Sequence, residues 1–207
     1  SPQLVMELGN DLFRKGYELD KSGQQEEAQE LYREAITMFE NVHSEDVRSL
    51  NGLDLAVVAC EHGKCLLELG RYSLAIAAFA RSIELLDARL TLSATAHVVN
   101  LLARSVSLYA LTQRKLKNLE AAKEAYLRAV SLWRSLLMFS PIKELKSEYN
   151  HSLGVSLIGL SKVLRRLGNR KEADACRYQA FTLLNETTAS SALNVSPART
   201  SKKDPSH

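Results

Sequence analysis

The stretch LGRYSLAIAAFARSI (Leu69–Ile83) sets small residues, Ala75, Ala77, Ala78 and Ala80, around a single ring, Phe79. A helix that needed only an apolar stripe would carry leucine there. Alanine lets two helices approach closely, and one large ring then fills the space left between them. The pattern recurs in SGQQEEAQELYREAI (Ser22–Ile36), LKNLEAAKEAYLRAV (Leu116–Val130) and LGNRKEADACRYQAF (Leu167–Phe181). In each, Gly23, Gly70, Lys117 or Gly168 is followed five residues later by Ala28, Ala75, Ala122 or Ala173. A large side chain comes next (Tyr32, Phe79, Tyr126, Arg177), then a small one (Ala35, Ser82, Ala129, Ala180).

The alanines lie 47, 47 and 51 residues apart. Self-similarity at such a period marks a helical repeat array. The A-x-x-x-[YF]-x-x-A spacing places three residues on one helical face. That face is read as the seam between the two helices of a hairpin, with the ring as wedge. Gly23, Gly70 and Gly168 mark the turns inside hairpins. Ser1-Pro2 and Ser140-Pro141 read as helix starts with proline in the first turn, and Ser44 precedes acids that favour a helix N-terminus. The expectation is an all-α chain of eight helices in hairpins at about 3–42, 45–89, 93–138 and 141–186, followed by a disordered Ser/Thr/Lys-rich tail over 187–207.

Composition agrees. With 9 Gly and 4 Pro in 207 residues, there are too few turn residues for a sheet protein. The longest uncharged run, Leu90–Ala103, is too short and too polar to span a bilayer. SPQLVMELG has no basic n-region or apolar core of a signal peptide, and its missing initiator Met suggests an excised fragment. Cys60, Cys65 and Cys176 are too few for a disulfide framework, which points to a reducing, cytoplasmic setting. The sequons at Asn150, Asn185 and Asn194 are read as chance matches.

These residues resemble the tetratricopeptide repeat. Gly16, Gly23, Ala28, Tyr32 and Ala35 match its pattern in the first unit, and Gly63, Gly70, Tyr72, Ala75 and Phe79 in the second. Units three and four depart from it at Lys117 and Arg177. The family's usual period is about 34 residues, so this chain is an extended-helix variant. The resemblance implies a right-handed α-solenoid of four hairpins that serves as a protein–protein interaction scaffold or adaptor. Lys15–Glu40 is also similar to the hairpin of MIT domains, three-helix bundles that bind short helical motifs in membrane-remodelling complexes.

In such arrays the first helices line a groove for partner segments. Transferring those positions gives Phe13, Tyr17 and Lys21 in unit one, Lys64 and Leu67 in unit two, Arg104 and Arg114 in unit three, and Lys162 and Arg165 in unit four. The terminal-carboxylate clamp of the chaperone-binding subgroup is not expected, because Phe13, Tyr17 and Lys64 stand where its Lys and Asn residues belong. Ser1–Asp54 carries twelve acidic and five basic side chains, whereas Leu55–His207 carries twelve and twenty-two. This asymmetry implies acidic protein or peptide partners, and is compatible with head-to-tail self-association. Nucleic acid is disfavoured, since the basic runs lack interleaved aromatics.

Catalysis finds no footing. The five histidines are scattered, with no HExxH pair, and Cys60 and Cys65 fall on different sides of a helix. No phosphate-cradling glycine loop or nucleophile elbow occurs, so no cofactor or metal is expected. A docking region of a larger enzyme stays open as a further alternative.

Overall fold

The computed structural model describes residues 2–43, 51–139 and 142–193. Eight helices follow one another: α1 (Pro2–Lys21), α2 (Gln25–His43), α3 (Asn51–Glu68), α4 (Tyr72–Leu92), α5 (Ala96–Lys115), α6 (Leu119–Phe139), α7 (Lys143–Arg166) and α8 (Arg170–Leu193). Among the described residues there is no strand. The closest packing is within α1–α2, α3–α4, α5–α6 and α7–α8, and each hairpin then stacks on the next. The first helices pack along the stack, α1 with α3, α3 with α5 and α5 with α7, while the second helices of successive hairpins stand further apart and reach one another through long side chains. The chain is an α-solenoid of four helical hairpins with α1, α3, α5 and α7 on its inner side. Because α3 pairs with α4, the first three helices do not form a separate bundle of the MIT kind.

All four hairpin turns close in the same way. The amides of Gln24, Arg71, Asn118 and Asn169 donate to the carbonyls of Leu19, Leu66, Gln113 and Leu164 at 2.8–3.0 Å. This geometry needs one left-handed residue, supplied by Gly23, Gly70 and Gly168 at φ of 83°, 74° and 88°. Lys117 takes the same conformation at φ 64° without glycine's freedom.

Two rungs of contact recur along the hairpins. The first pairs a small residue of the first helix with the ring of the second: Gly16 with Tyr32 and Gly63 with Phe79, in contact at 3.0 and 2.8 Å from the place of a glycine Cβ. The second lies seven residues further from the turn, where Gly9 meets Phe39 and Gly154 meets Leu184 at 3.0 and 2.9 Å. Stepping by the repeat gives Ala56 and Leu86, then Ala103 and Trp133, at the same rung, all buried. This second rung accounts for helices longer than those of a 34-residue unit.

The alanines of Leu69–Ile83 divide between two roles. Ala75 is fully buried in the seam, as expected. Ala77 and Ala80 instead face outward, Ala78 packs half-buried beside the Phe79 cluster, and all three line grooves between second helices. A helix turns 100° per residue, so Ala77 and Ala80 cannot share the face of Ala75 and Phe79. Helix α8 runs on to Leu193, past the expected start of the tail at 187. Residues 194–207 lie outside the described residues, as do Ser44 and Ser140-Pro141. Helix α5 begins at Ala96, capped by Thr95, whose hydroxyl accepts from the Val98 amide at 3.3 Å.

Candidate functional site

The repeat places equivalent residues of the four first helices on one inner stripe. It comprises Asn10, Phe13, Tyr17 and Asp20 in α1, Val57, Cys60, Lys64 and Leu67 in α3, Arg104, Ser107, Leu111 and Arg114 in α5, and Val155, Ile158, Lys162 and Arg165 in α7. Lys21 falls one residue off it. The position equivalent to Leu67 is Asp20, and this one-residue difference matters to the electrostatics.

At the α1 end the stripe is aromatic. Phe13 is half-buried, its ring centroid 5.8 Å from that of Tyr32 and 6.3 Å from that of the exposed Tyr17. Lys21 reaches over the Tyr17 ring, with Nζ 4.5 Å from its centroid.

Next to it, α1, α3 and α5 are tied by charge. Lys64 Nζ donates to Asp20 Oδ2 at 3.3 Å and to Glu61 Oε2 at 3.0 Å. Arg104 Nη2 reaches Glu61 Oε1 at 3.4 Å. Asp20 and Glu61 are buried, and two cations balance the two carboxylates. Burial pulls the Lys64 pKa down, but hydrogen bonds and the charges of Glu61 and Asp20 outweigh it and hold the ammonium above its ordinary value. Lys64 and Arg104, expected to face a partner's acids, are thus already paired within the chain. Sequence reading missed both acids; stepping 47 residues back from Leu67 lands on Asp20 and would have found one of them.

The α5–α7 end is different. Burial raises the Tyr126 phenol, and the nearby Arg114 guanidinium opposes that rise by hydrogen bonding and charge. Arg165 Nη2 donates to Asp174 Oδ1 on α8 at 2.6 Å, and Lys162 is exposed. Leu67 packs half-buried beside Phe79, Cys60 and Leu66, which makes it part of the hairpin core.

The outer side carries two repeat-related grooves of about 580 and 590 Å³. One runs between α2 and α4 over α3, the other between α4 and α6 over α5. Equivalent ion pairs cross them, Arg81 to Glu40 at 3.8 Å and Arg128 to Asp87. Burial pushes the Cys60 thiol up to about 11 and the Cys65 thiol up to about 12, which favours the neutral thiol at both. Among the described residues no three His, Cys, Asp or Glu side chains converge on a metal position, and no helix is long and apolar enough to cross a membrane.

Stacked hairpins with a continuous inner stripe define a helical-repeat docking fold, that of a protein–protein interaction module. Residues 12–41, 56–85 and 103–132 match the tetratricopeptide repeat, so the array contains three copies of that repeat. The matches fall in the first three hairpins; in the fourth, Arg177 takes the place of the ring. The crystal structure of BtubC (BKLC) from P. vanneervenii is similar in fold, with a TM-score of 0.68 at 16% identity, covering 100% of this chain and 72% of that one. A MamA RS-1 double mutant aligns with a TM-score of 0.48 at 21% identity, covering 86% and 76% of the two chains. PilF of Pseudomonas aeruginosa aligns with a TM-score of 0.33 at 17% identity, covering 91% and 99%. No curated protein matches the sequence.

Proposed function

We propose that the inner stripe receives a segment of a partner protein, extended or helical, laid across α1, α3, α5 and α7. The supporting observation is the exposed Tyr17 ring beside Phe13 at one end of the stripe, with Arg114, Lys162 and Arg165 at the other. Aromatic rings bury much area at low entropic cost, so Phe13 and Tyr17 anchor the segment while Leu67 supports the wall. Lys21 borders the aromatic end.

The preference for acidic partners belongs to the α5–α7 end. There Arg114 and Lys162 offer positive charge, and Arg165 does so by exchanging an exposed partner, Asp174. Lys64 and Arg104 stiffen the middle of the stripe, since their charge is balanced by Asp20 and Glu61.

Affinity capture from cell extract at low and moderate salt tests this reading. The wild type is compared with Phe13→Ala/Tyr17→Ala, with Arg114→Ala/Lys162→Glu, and with the outer-face control Leu74→Glu. Partners should be lost with both inner-face variants and kept by the control, with salt weakening the α5–α7 contribution. Partners lost with Leu74→Glu and kept by both inner-face variants would overturn it.

A further inference from the structure

Neighbouring first helices meet in one register along the stack. Across α3 and α5, Cys60 and Ser105 are hydrogen-bonded. Stepping by the repeat gives Ser107 and Ser156, whose hydroxyls meet at 3.3 Å across α5 and α7. In that register Asp20 of α1 has its equivalents in Leu67 of α3 and Arg114 of α5. Lys64 of α3 has its equivalents in Leu111 of α5 and Lys162 of α7. One contact therefore changes character from junction to junction. Between α1 and α3 it is the ion pair of Asp20 with Lys64 at 3.3 Å. Between α3 and α5 it is leucine opposite leucine, and between α5 and α7 it sets Arg114 opposite Lys162.

The acids of the first junction have no counterpart in the last. Glu61, which pairs with both Lys64 and Arg104, is replaced at the equivalent place in α7 by Gly159. Tyr126 turns toward that place, its hydroxyl 2.6 Å from where a Gly159 Cβ would stand. Among the described residues no carboxylate pairs with Arg114 or Lys162, and the buried Arg114 Nε has no hydrogen-bond partner. Solvation accounts for Lys162, which is exposed. It does not account for a half-buried Arg114 placed opposite a like charge with a donor left unmet.

We propose that Arg114, Lys162 and the Tyr126 hydroxyl bind a phosphate monoester carried on a side chain of the docked partner segment. This rests on the inner stripe being the docking face. The charge count selects the group. Asp20 and Glu61 together balance Lys64 and Arg104, so two cations without acids match one dianion. A single carboxylate would leave one charge unmet. A phosphate also brings three acceptor oxygens, enough for a guanidinium, an ammonium and a hydroxyl at once. The hydroxyl accepts from Arg114 and keeps its own proton to donate.

Chemical-shift titration of the whole chain with phenyl phosphate tests it, with benzoate at the same ionic strength for comparison. The Arg114 Nε–H and the amides of Gly159 and Lys162 should shift saturably, with a dissociation constant on the order of 1 mM. Benzoate should bind about tenfold more weakly or less tightly still. Arg114→Leu and Lys162→Leu install the leucines of the α3–α5 junction, and circular dichroism checks that they fold. Each should abolish the saturable shift. Lys115→Gln, which removes an adjacent charge outside the site, should keep it. Partner capture from phosphatase-treated extract should fall to the level that Lys162→Leu shows with untreated extract.

No saturable shift, equal binding of benzoate, or a shift that survives both leucine variants would overturn the proposal. So would capture that phosphatase leaves intact while Phe13→Ala/Tyr17→Ala abolishes it, a result that retains the inner-face reading. Phenyl phosphate binding lost in both leucine variants, with capture indifferent to Phe13→Ala/Tyr17→Ala, would support the phosphate site and count against the inner-face reading.

Discussion

The ring of Phe79 lies so close to Gly63 that a Cβ there would stand 2.8 Å from its Cδ1 and Cε1. Phe79 is fully buried and cannot swing away, so the contact fixes how closely α3 and α4 approach. Gly63→Ala gains about 1 kcal/mol of helix propensity but loses about 1–3 kcal/mol to overpacking, for a net loss on thermal or urea unfolding. Gly63→Val should lose more. At the equivalent place in α5, Ala110 already carries a Cβ, so Ala110→Gly should cost only about 1 kcal/mol.

Lys117 is the one described non-glycine residue with positive φ, at a turn that three other hairpins build with glycine. A side chain there costs about 1–2 kcal/mol, against a smaller entropic cost for glycine. Lys117→Gly should therefore stabilise the chain by roughly 0.5–1 kcal/mol, read as a rise in melting temperature.

Removing Lys64 would leave Asp20 and Glu61 buried without their shared cation. Lys64→Met should destabilise by about 2–4 kcal/mol, below the range for a fully buried pair because Lys64 is itself partly exposed. Glu61→Gln in the same chain should recover part of that loss. Equal stability of Lys64→Met and wild type in urea would show the network to be incidental.

His62 lines the α2–α4 groove, and its Nε2 has no hydrogen-bond partner among the described residues. Burial first, then Arg33, holds its pKa below the ordinary value, with Glu30 opposing. The unfolded chain takes up the proton more readily, so stability is lost as pH falls from about 7 toward 5. His62→Leu, with the residue that α7 carries at this position as Leu160, should flatten that decline in urea unfolding at the two pH values.

The repeat was legible because hairpin packing is local. Ala28, Ala75, Ala122 and Ala173 recur at fixed distance from the turn residue, and those positions face the partner helix wherever the hairpin sits. Contacts between hairpins were less legible. The pairing of Lys64 with Asp20 joins residues 44 apart, and its register shows only when equivalent positions are stepped strictly by the repeat. A one-residue offset put Lys21 on the stripe in place of Asp20 and gave the middle of the inner face more positive charge than it has. Ala77 and Ala80 shared composition with Ala75 but not its face.

The inner-face reading is tested most directly by placing a photo-crosslinking side chain at Tyr17 or Lys162 on the inner stripe, or at Leu74 on the outer face. Each is irradiated with the partner recovered from extract. Crosslinks to one partner segment from both 17 and 162, with none from 74, are the expected result. Crosslinks from 74 alone would contradict an inner-face docking module and move the binding surface to the outer grooves.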